Sequence, residues 1–416
     1  MPEQPKDLSS WLDYIGQQHS EVIDMGLERF SQVQYSLNLK QPAPRVITVA
    51  GTNGKGSTAR VIEALLLDAG YSVGTTLSPH VWRFNERIRI DGKEADDAAI
   101  CNAFAAVDDA RGDLPLTYFE FSALAALFCM ARSQVDFAIL EIGLGGRLDA
   151  FNAVDADVAV ITSIGLDHQA FLGDTREAIG GEKAGILRAG QRVVLGQNMP
   201  ESVYARCRTL DLTPNCWGED FSSLEDFSTL NGNRQWVYSR TDREAITVPQ
   251  TRLAAHNIAV ACEAVAGDVE LNRERILRCA DLAIPGRMDF READDRVWVH
   301  DVCHNPDGAD FFMGELAARG ITPSFFICAM LAGKDHLSFV KAINNKSLSG
   351  TPWAFVDSHG DRQLAGEDLA DTVGLPDAGV GDMRQAIGLA KAETGPGDVI
   401  VIFGSFNAVE QSPWLA

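Results

Sequence analysis

The stretch RVITVAGTNGKGSTARVIEALLLDA, residues 45–69, decides the fold of this chain. It opens with the β-branched run 46–49, which is typical of a buried strand, and it closes with an apolar pattern of helical period. Three glycines in six residues stand around Lys55. Glycines let backbone N–H groups turn inward, and the N-terminus of the following helix adds positive potential. The pattern therefore predicts a phosphate-binding loop.

This loop departs from the usual phosphate-loop pattern in two places. Gly51 precedes Gly54 by only three residues, and a glycine separates Lys55 from the next hydroxyl residue, Ser57. The alternative is a glycine-rich turn that binds nothing, but such a turn needs one glycine rather than three. We expect residues 51–57 to hold nucleotide phosphates, with the lysine on the terminal phosphates and a hydroxyl group near Mg²⁺.

Composition indicates a globular protein of two domains. The chain has 416 residues, 46% of them hydrophobic, and a formal net charge of −22. That length exceeds one ordinary core, and a nucleic-acid interface would need clustered Lys and Arg. Eight cysteines without a Cys-x-x-Cys pair predict reduced thiols. Because neither a signal-peptide core nor a membrane-length apolar run is present, we expect a cytoplasmic protein without membrane or nucleic-acid partners.

Strands and helices alternate along the first two thirds of the chain, and glycines follow several strands. This order is typical of an α/β fold with a doubly wound parallel sheet. Residues 205–250 weaken into short, polar, strand-like pieces that cannot be placed in the fold. The predicted elements are helices at 7–19, 27–37, 96–111 and 120–132 and strands at 46–49, 71–74, 136–142 and 156–164.

The segment Ile-Pro-Gly-Arg at residues 284–287 interrupts the pattern, and α/β alternation starts again after it. We place a domain boundary there, between residues 1–284 and residues 285–416. The predicted elements of the second domain are strands at 296–302, 324–331, 353–357 and 398–403 and helices at 307–319, 337–345 and 383–393.

Three polar residues, Ser78, Glu141 and His168, stand at the ends of predicted strands. Ligands collect at the carboxyl ends of strands in such sheets, and a carboxylate buried there needs a partner or a metal. Together the three residues predict an Mg²⁺ site. Two alternatives stay open, because Glu141 is also suited to cap a helix and a lone histidine is more often an ordinary core or surface residue.

Other charged residues have a plainer interpretation. Lys183, in GEKAGI at 181–186, is from the sequence alone best explained as the surface partner of a neighbouring glutamate. Four arginines near strand ends are either solvated charges or an anion-attracting patch. These are Arg83, Arg87, Arg89 and Arg147.

The cluster HDVCHNP at residues 300–306 contains residue types that can bind zinc. It lacks a second ligand pair at zinc spacing. We therefore favour contacts from Asp301 and His304 to a nucleotide.

Taken in order, the motifs of this chain resemble those of the Mur-ligase-like family, and most closely its dihydrofolate synthase/folylpolyglutamate synthase group. The resemblance extends from residue 25 to residue 409. It implies a P-loop ATPase domain with a doubly wound parallel sheet, followed by a smaller Rossmann-like C-terminal α/β domain for glutamate ligation. The motifs are GTNGKGS at 51–57, SPH at 78–80, TYFEF at 117–121, LEIGLGGRLDA at 140–150, GLDH at 165–168, GEKAGI at 181–186, PGR at 285–287 and DVCHNPDG at 301–308.

The resemblance implies a role for each set of residues. Catalysis would involve Lys55, Lys183 and His304, the last as a candidate base for glutamate. ATP would be bound by Gly51, Thr52, Asn53, Gly54, Lys55, Gly56, Ser57, Asn257, Arg287 and Asp301. Magnesium ions, at two sites, would be bound by Ser57, Ser78, Glu141, His168 and Lys183 as a carbamate. The pterin would contact Met25, Gly26, Leu27, Glu28, Thr117, Tyr118, Phe119, Glu120, Leu148, Asp149 and Ala150.

One position and one short segment depart from the family pattern. Cys303 replaces a small alanine, and residues 332–336 vary an Asp-Lys-Asp segment. Both departures concern the ATP side of the site.

The implied reaction is the ATP-dependent ligation of L-glutamate to dihydropteroate, and to the γ-carboxylate of a reduced folate, through an acyl phosphate. Lys55 and Mg²⁺ would neutralise charge during phosphoryl transfer. The resemblance also implies, in some members, a need for K⁺. Nothing in the sequence suggests an obligate dimer, so we expect a monomer. A Mur-type ligase acting on a UDP-sugar precursor is one alternative, disfavoured by the aromatic pair Tyr118 and Phe119, which suits a flat ring. A non-catalytic nucleotide switch is the other.

Overall fold

The computed structural model describes residues 5–19, 23–226, 235–360 and 362–413. The chain forms two compact units. The first comprises Met1–Ile164, Gln169–Thr251 and Ala255–Ala280, and the second comprises Gly165–His168, Arg252–Ala254 and Asp281–Ala416. The boundary at residues 284/285 stays a prediction about where the functional domains divide.

The large sheet of the first unit has a parallel centre. Its strands are β1 (Arg45–Ala50), β2 (Val73–Thr76), β3 (Ile88–Ile90), β4 (Lys93–Glu94), β5 (Phe137–Glu141), β6 (Val158–Ser163), β7 (Arg192–Gln197) and β8 (Asn215–Cys216). In the described residues their order is β4-β3-β2-β5-β1-β6-β7-β8. β1 is the central strand that the sequence predicted, and it pairs in parallel with β5 and β6. The side chains of β1 from Val46 to Ala50 are buried, as expected for a strand covered on both faces.

One edge of this sheet is antiparallel, a detail that the sequence analysis did not predict. β3 pairs antiparallel with β2 and with β4. The link between β2 and β3 holds only a 3₁₀ turn, Phe84–Arg87, and is too short for a helical crossover. Asp91 and Gly92, both with positive φ, form the turn to β4. β2 also begins two residues later than predicted, because Ser72 is engaged by the Asp136 side chain instead.

The helices of the first unit follow the apolar periodicity of the sequence. In α3, which carries the loop residues at its start, the buried positions include Val61, Ile62, Leu65 and Leu66. The predicted helices at 7–19, 27–37, 96–111 and 120–132 are confirmed with small shifts at their ends. The helices are α1 (Leu8–Gly16), α2 (Glu28–Ser36), α3 (Lys55–Asp68), α4 (Asp97–Arg111), α5 (Tyr118–Ser133), α6 (Gln169–Leu172), α7 (Arg176–Lys183), α8 (Glu201–Thr209), α9 (Ala255–Val265) and α10 (Arg273–Ala280).

The region that the sequence left unassigned contains α8, β8 and a small antiparallel sheet. The strands of that sheet are β9 (Phe221–Asp226), β10 (Gln235–Arg240) and β11 (Arg243–Pro249). Its link to α9 is polar and buried. Glu263 of α9 accepts hydrogen bonds from Tyr238 at 3.1 Å and from Arg240 at 3.0 Å.

The second unit is an α/β sandwich around a six-stranded sheet, counted over its described residues. The strand order is β12-β13-β17-β14-β15-β16, and every pairing is parallel except that of β12 with β13. Its strands are β12 (Asp289–Ala293), β13 (Arg296–His300), β14 (Phe325–Cys328), β15 (Trp353–Val356), β16 (Gly379–Gly381) and β17 (Val399–Phe403). Its helices are α11 (Pro306–Ala318), α12 (His336–Lys346), α13 (Gly366–Val373), α14 (Met383–Glu393) and α15 (Phe406–Glu410). The predicted strands and helices of this part are confirmed.

All eight cysteines are free thiols. Cys101 on α4 is partly exposed, whereas the other seven are buried. No helix in the described part of the chain is both long and apolar enough to cross a lipid bilayer.

Candidate active site

The predicted phosphate loop joins β1 to α3. Gly51 has φ +149°, and a Cβ there would lie 1.9 Å from Thr162 Oγ1. Gly54 precedes α3 with φ +84° and leaves the helix without a side-chain cap. The first N–H groups of α3 therefore keep the positive potential that favours phosphate.

Residues of β6 and α9 hold this loop. Thr162 Oγ1 donates to the carbonyl of Asn53 at 2.6 Å, and Ser163 Oγ accepts from the amide of Asn53 at 3.0 Å. Asn257 of α9 lies directly against Gly54, since a Cβ there would meet Asn257 Oδ1 at 2.4 Å. The structure thus brings Asn257 together with the other predicted ATP-binding residues of the first unit.

Two lysines converge on one carbonyl oxygen of the loop. Lys55 Nζ donates to Gly51 O at 3.1 Å and to Thr52 O at 3.3 Å. Lys183 Nζ donates to the same Gly51 O at 2.9 Å. Lys183 is 5% exposed at the end of α7, and its neighbour Glu182 pairs instead with Arg147. The interpretation of Lys183 as a surface ion-pair residue was therefore wrong.

Glu141 and Ser78, two predicted metal ligands, lie side by side at the carboxyl ends of β5 and β2. Glu141 is 3% exposed, and its Oε2 accepts the amide hydrogen of Ser78 at 2.8 Å. A Cβ at Gly56 would lie 3.4 Å from Glu141 Oε1, so the carboxylate faces the first turn of α3. That turn also carries Ser57. Three segments that carry predicted metal ligands therefore meet at this point.

His168, the remaining predicted ligand, lies on the segment Gly165–His168, which belongs to the second unit. Its neighbour Asp167 is a residue that our sequence analysis missed. The Asp167 carboxylate accepts from Lys334 Nζ at 2.5 Å, from Asn305 Nδ2 at 3.2 Å and from His304 Nε2 at 3.1 Å. Burial raises the pKa of Asp167, but the hydrogen bond from His304 and the positive charges of His304 and Lys334 outweigh burial and lower it. The only sequence signal was its place in the GLDH motif.

The surroundings of His304 disfavour the role of base that was predicted for it. Its Nδ1 lies 2.8 Å from Val302 O and its Nε2 lies 3.1 Å from the Asp167 carboxylate. Both partners accept hydrogen bonds. A base needs a nitrogen lone pair directed at a proton donor, so in this arrangement His304 acts as a donor to its neighbours.

Asp301 and Arg287, predicted ATP contacts of the second unit, lie in a compact turn. Asp301 accepts from the amides of Cys303 at 2.8 Å and Met288 at 3.0 Å, while burial raises its pKa. The Arg287 guanidinium lies over the ring of Phe406, 5.4 Å from its centroid. No group of three or more His, Cys, Asp or Glu side chains in the described residues is arranged to hold a metal, so the zinc interpretation of residues 300–306 finds no support.

The three predicted pterin segments meet at the loop 143–145. A Cβ at Gly143 would lie 2.6 Å from the ring of Phe119, and a Cβ at Gly145 would lie 3.4 Å from Met25 Cε. Asp149 Oδ2 accepts the amide hydrogens of Gly143 at 2.9 Å and of Leu144 at 3.0 Å. Burial raises the pKa of Asp149 to about 6 in spite of these bonds.

The capping motif of α5 fixes Thr117 and Glu120. Thr117 Oγ1 accepts the amide hydrogen of Glu120 at 3.2 Å, and Glu120 Oε2 accepts the amide hydrogen of Thr117 at 2.9 Å. Arg29, a second residue that our sequence analysis missed, donates to the same Glu120 oxygen at 2.9 Å. This bond links the segment that contains Met25 and Glu28 to α5.

The four arginines of the predicted anion patch do not act together. Arg89 pairs with Glu63, Arg147 with Glu182, and the exposed Arg83 lies 4.0 Å from Glu94. Arg87 is different. Its Nε donates to His80 Nδ1 at 2.7 Å, and its guanidinium lies over two aromatic rings.

Two segments of the chain match known domain families. Residues 49–203 match the Mur ligase middle domain, and residues 286–406 match the Mur ligase glutamate ligase domain. The chain is 37% identical, over 98% of its length and 95% of the relative's, to a dihydrofolate synthase/folylpolyglutamate synthase of Escherichia coli strain K12.

Solved structures of folylpolyglutamate synthase/dihydrofolate synthase enzymes are also similar to this chain. Escherichia coli FolC in complex with DHPP and ADP is 36% identical, with a TM-score of 0.88, over 99% of this chain and 97% of that one. A bifunctional folylpolyglutamate synthase/dihydrofolate synthase with Mn, AMPPNP and L-glutamate bound is also 36% identical, with a TM-score of 0.88, over 99% and 98% of the two chains.

Proposed function

The chain belongs to the dihydrofolate synthase/folylpolyglutamate synthase family of Mur-type ligases, and on that premise we propose how its residues carry out the reaction. The enzyme joins L-glutamate to dihydropteroate, giving dihydrofolate, and to the γ-carboxylate of tetrahydrofolate, giving polyglutamates. It uses ATP and a divalent metal. The observation that carries the proposal is the glycine loop at residues 51–57 with two lysines on one of its carbonyl oxygens.

ATP phosphates bind at the loop and at the first turn of α3. The ammonium of Lys55, held here by loop carbonyls, exchanges them for phosphate oxygens. Its positive charge then offsets the charge that spreads over the transferred phosphoryl group. Asn257 fixes the loop at Gly54. Arg287 and Asp301 remain the ATP-binding candidates of the second unit.

The residues around Glu141 fit Mg²⁺. A buried carboxylate beside hydroxyl groups is the oxygen-rich environment that this ion prefers, and the absence of a side chain at Gly56 leaves space beside Glu141. Ser57, Ser78, Glu141 and His168 are the proposed ligands. The bound ion would neutralise phosphate charge and so lower the barrier to attack by the substrate carboxylate.

Lys183 is proposed to act as a carbamate. Two ammonium groups on one carbonyl oxygen repel each other, and Lys183 is buried. Carboxylation of its Nζ replaces a positive group with an anionic oxygen ligand. This change removes the repulsion with Lys55 and adds a further metal ligand.

The pterin ring is proposed to lie at the loop 143–145, among Phe119, Met25 and Asp149. The full set of contacts is Met25, Gly26, Leu27, Glu28, Thr117, Tyr118, Phe119, Glu120, Leu148, Asp149 and Ala150. An aromatic side chain offers a stacking face, and the buried carboxyl of Asp149 offers hydrogen-bond acceptors. We further propose that the protein is a cytoplasmic monomer.

The proposed function is tested by ADP release from the purified protein with ATP, Mg²⁺, L-glutamate and either dihydropteroate or tetrahydrofolate. We expect ADP release to require both the pterin and glutamate, and a Lys55→Met variant to abolish it. ADP released at the same rate without either substrate would contradict ligation and indicate a nucleotide switch instead.

A further inference from the structure

Arg87 is a positive charge that the mechanism above does not use. It ends the 3₁₀ turn Phe84–Arg87, next to the loop that carries Ser78. Burial lowers the pKa of its guanidinium, while the charges of Tyr118, Glu141 and Glu86 act in the opposite direction. None of the ion pairs formed among the described residues includes Arg87. Burying a charged guanidinium lowers the stability of the protein unless an anion pairs with it.

The orientation of this guanidinium is fixed on two sides. Its centre lies 5.7 Å from the ring centroid of Phe84 and 5.6 Å from that of Tyr118. Its Nε donates to His80 Nδ1 at 2.7 Å. Because that nitrogen accepts a hydrogen bond, His80 is neutral and does not balance the positive charge of Arg87. The opposite edge, with the two Nη groups, has the fork geometry that matches a carboxylate.

The loop that carries Arg87 is itself held in place. The Glu86 carboxylate accepts the amide hydrogens of Val81, Trp82 and Arg83 at 2.7–2.8 Å. A fixed loop loses little conformational freedom when a ligand binds. Arg87 is thus prepared for an anion in the unliganded protein.

The identity of the anion follows from the neighbours of Arg87. Tyr118 belongs to the proposed pterin site, and the charge of Glu141, a proposed metal ligand, acts on the guanidinium. The substrate group that must lie near both the pterin and the metal is the carboxylate that ATP activates. We propose that Arg87 binds this carboxylate of the pterin substrate and holds it for attack on the γ-phosphate. This inference rests on the proposed function.

The test measures binding of two ligands in the presence of Mg²⁺ and a non-hydrolysable ATP analogue. One is dihydropteroate, and the other is the same dihydropterin–aniline without its carboxyl group. We expect Arg87→Met to weaken binding of dihydropteroate roughly 10- to 100-fold, because a charge-assisted bond is lost. Binding of the uncharged analogue should change by less than about twofold. Arg83→Met, which removes an exposed arginine of the same loop, is the matched control and should leave both affinities unchanged.

An equal loss of affinity for both ligands would overturn the inference, because Arg87 would then act only by supporting Tyr118. Unchanged binding of dihydropteroate would overturn it as well. If Arg87→Met does not fold, Arg87→Lys replaces it, and a loss confined to the acid supports the inference while an equal loss refutes it. Failure of the wild-type protein to bind dihydropteroate would refute the proposed function instead.

Discussion

At the scale of single residues, burial decides between interpretations that the sequence leaves equal. Lys183 and Arg147 both stand in glycine-containing motifs, and both have an acidic residue within two positions. The structure buries Lys183 against Gly51 O, whereas Arg147 is exposed and pairs with Glu182. A sequence pattern records charge but not exposure, so the pattern alone did not distinguish Lys183 from a surface ion-pair residue, and only the family resemblance assigned it to the site.

The first prediction concerns Lys183. Lys183→Ala should lower ligase activity about 100-fold or more, because the proposed carbamate oxygen is lost from a site that depends on fixed charge. Short carboxylates such as formate or acetate should restore part of the activity by occupying the vacated space. The measurement is ADP release with and without added carboxylate.

Glu182→Gln serves as the control for this experiment. It removes the charge next to Lys183 but affects only the ion pair with the exposed Arg147. Its activity should match that of the wild type. Full activity in Lys183→Ala would exclude Lys183 from the site.

Asp167 shows a different limit of sequence analysis at this scale. Its three side-chain partners, Lys334, His304 and Asn305, are more than 130 positions away along the chain. No local pattern records such a convergence. The motif GLDH indicated His168 as a ligand. The adjacent carboxylate of Asp167 is the group that accepts hydrogen bonds from Lys334 and His304.

At the scale of secondary-structure elements, the glycine turn before α3 illustrates how much a backbone conformation can be predicted. The sequence indicated a tight turn, because three glycines surround Lys55. The family resemblance placed Asn257 of α9 at the same ATP site, but no local pattern showed that its side chain would lie directly against Gly54. The need for glycine at this position therefore has two causes, a left-handed φ and a close neighbour.

A second prediction separates these two causes by comparing Gly54→Ala with Gly70→Ala. Both residues have positive φ, +84° and +93°, but a Cβ at Gly70 meets no atom within 4 Å. Each variant should lose about 1–2 kcal/mol of stability through backbone strain. Only Gly54→Ala should also lose ATP affinity, by roughly tenfold or more, since the Asn257 contact displaces the loop.

Urea unfolding and equilibrium binding of an ATP analogue measure these effects. Similar ATP affinities in the two variants would mean that the contact with Asn257 is unimportant for the loop.

Prediction of the elements themselves succeeded where one periodicity ran over a long stretch. The parallel strands β1, β5 and β6 are continuous apolar runs, and the helices around them show a clear apolar stripe. The antiparallel β3 and β4 were missed because three-residue and two-residue strands carry too few positions for a pattern. The strands of the small sheet β9–β11 were recognised only as strand-like pieces that could not be placed, because they are largely polar and partly exposed.

At the scale of the whole molecule, buried histidines make stability depend on pH in both units. Burial lowers the pKa of His256 in the first unit and of His300 in the second to about 4, from an ordinary value of 6.5. Between those two pH values the unfolded chain binds a proton at each site that the folded chain does not. The free energy of unfolding therefore falls as the pH decreases from 6.5 to 4, by about 1.4 kcal/mol per pH unit for each histidine.

The third prediction is that His256→Gln and His300→Gln each remove the binding of about one proton on unfolding. Each substitution should therefore reduce the pH dependence of the free energy of unfolding by about 1.4 kcal/mol per pH unit. Urea unfolding at several pH values between 4 and 6.5 measures it. If the two units unfold separately, each substitution should change the slope of its own transition only. Slopes identical to that of the wild type would show that these histidines are already protonated in the folded protein.

The burial of most thiols allows this enzyme to be labelled selectively. Seven of the eight cysteines are buried, and Cys101 on α4 alone is partly exposed. Burial raises the pKa of Cys129 to about 12 and of Cys279 to about 11, which keeps such thiols unreactive. A maleimide dye should consequently attach at one position of the native chain, so that a fluorescent reporter can be installed without engineering the sequence.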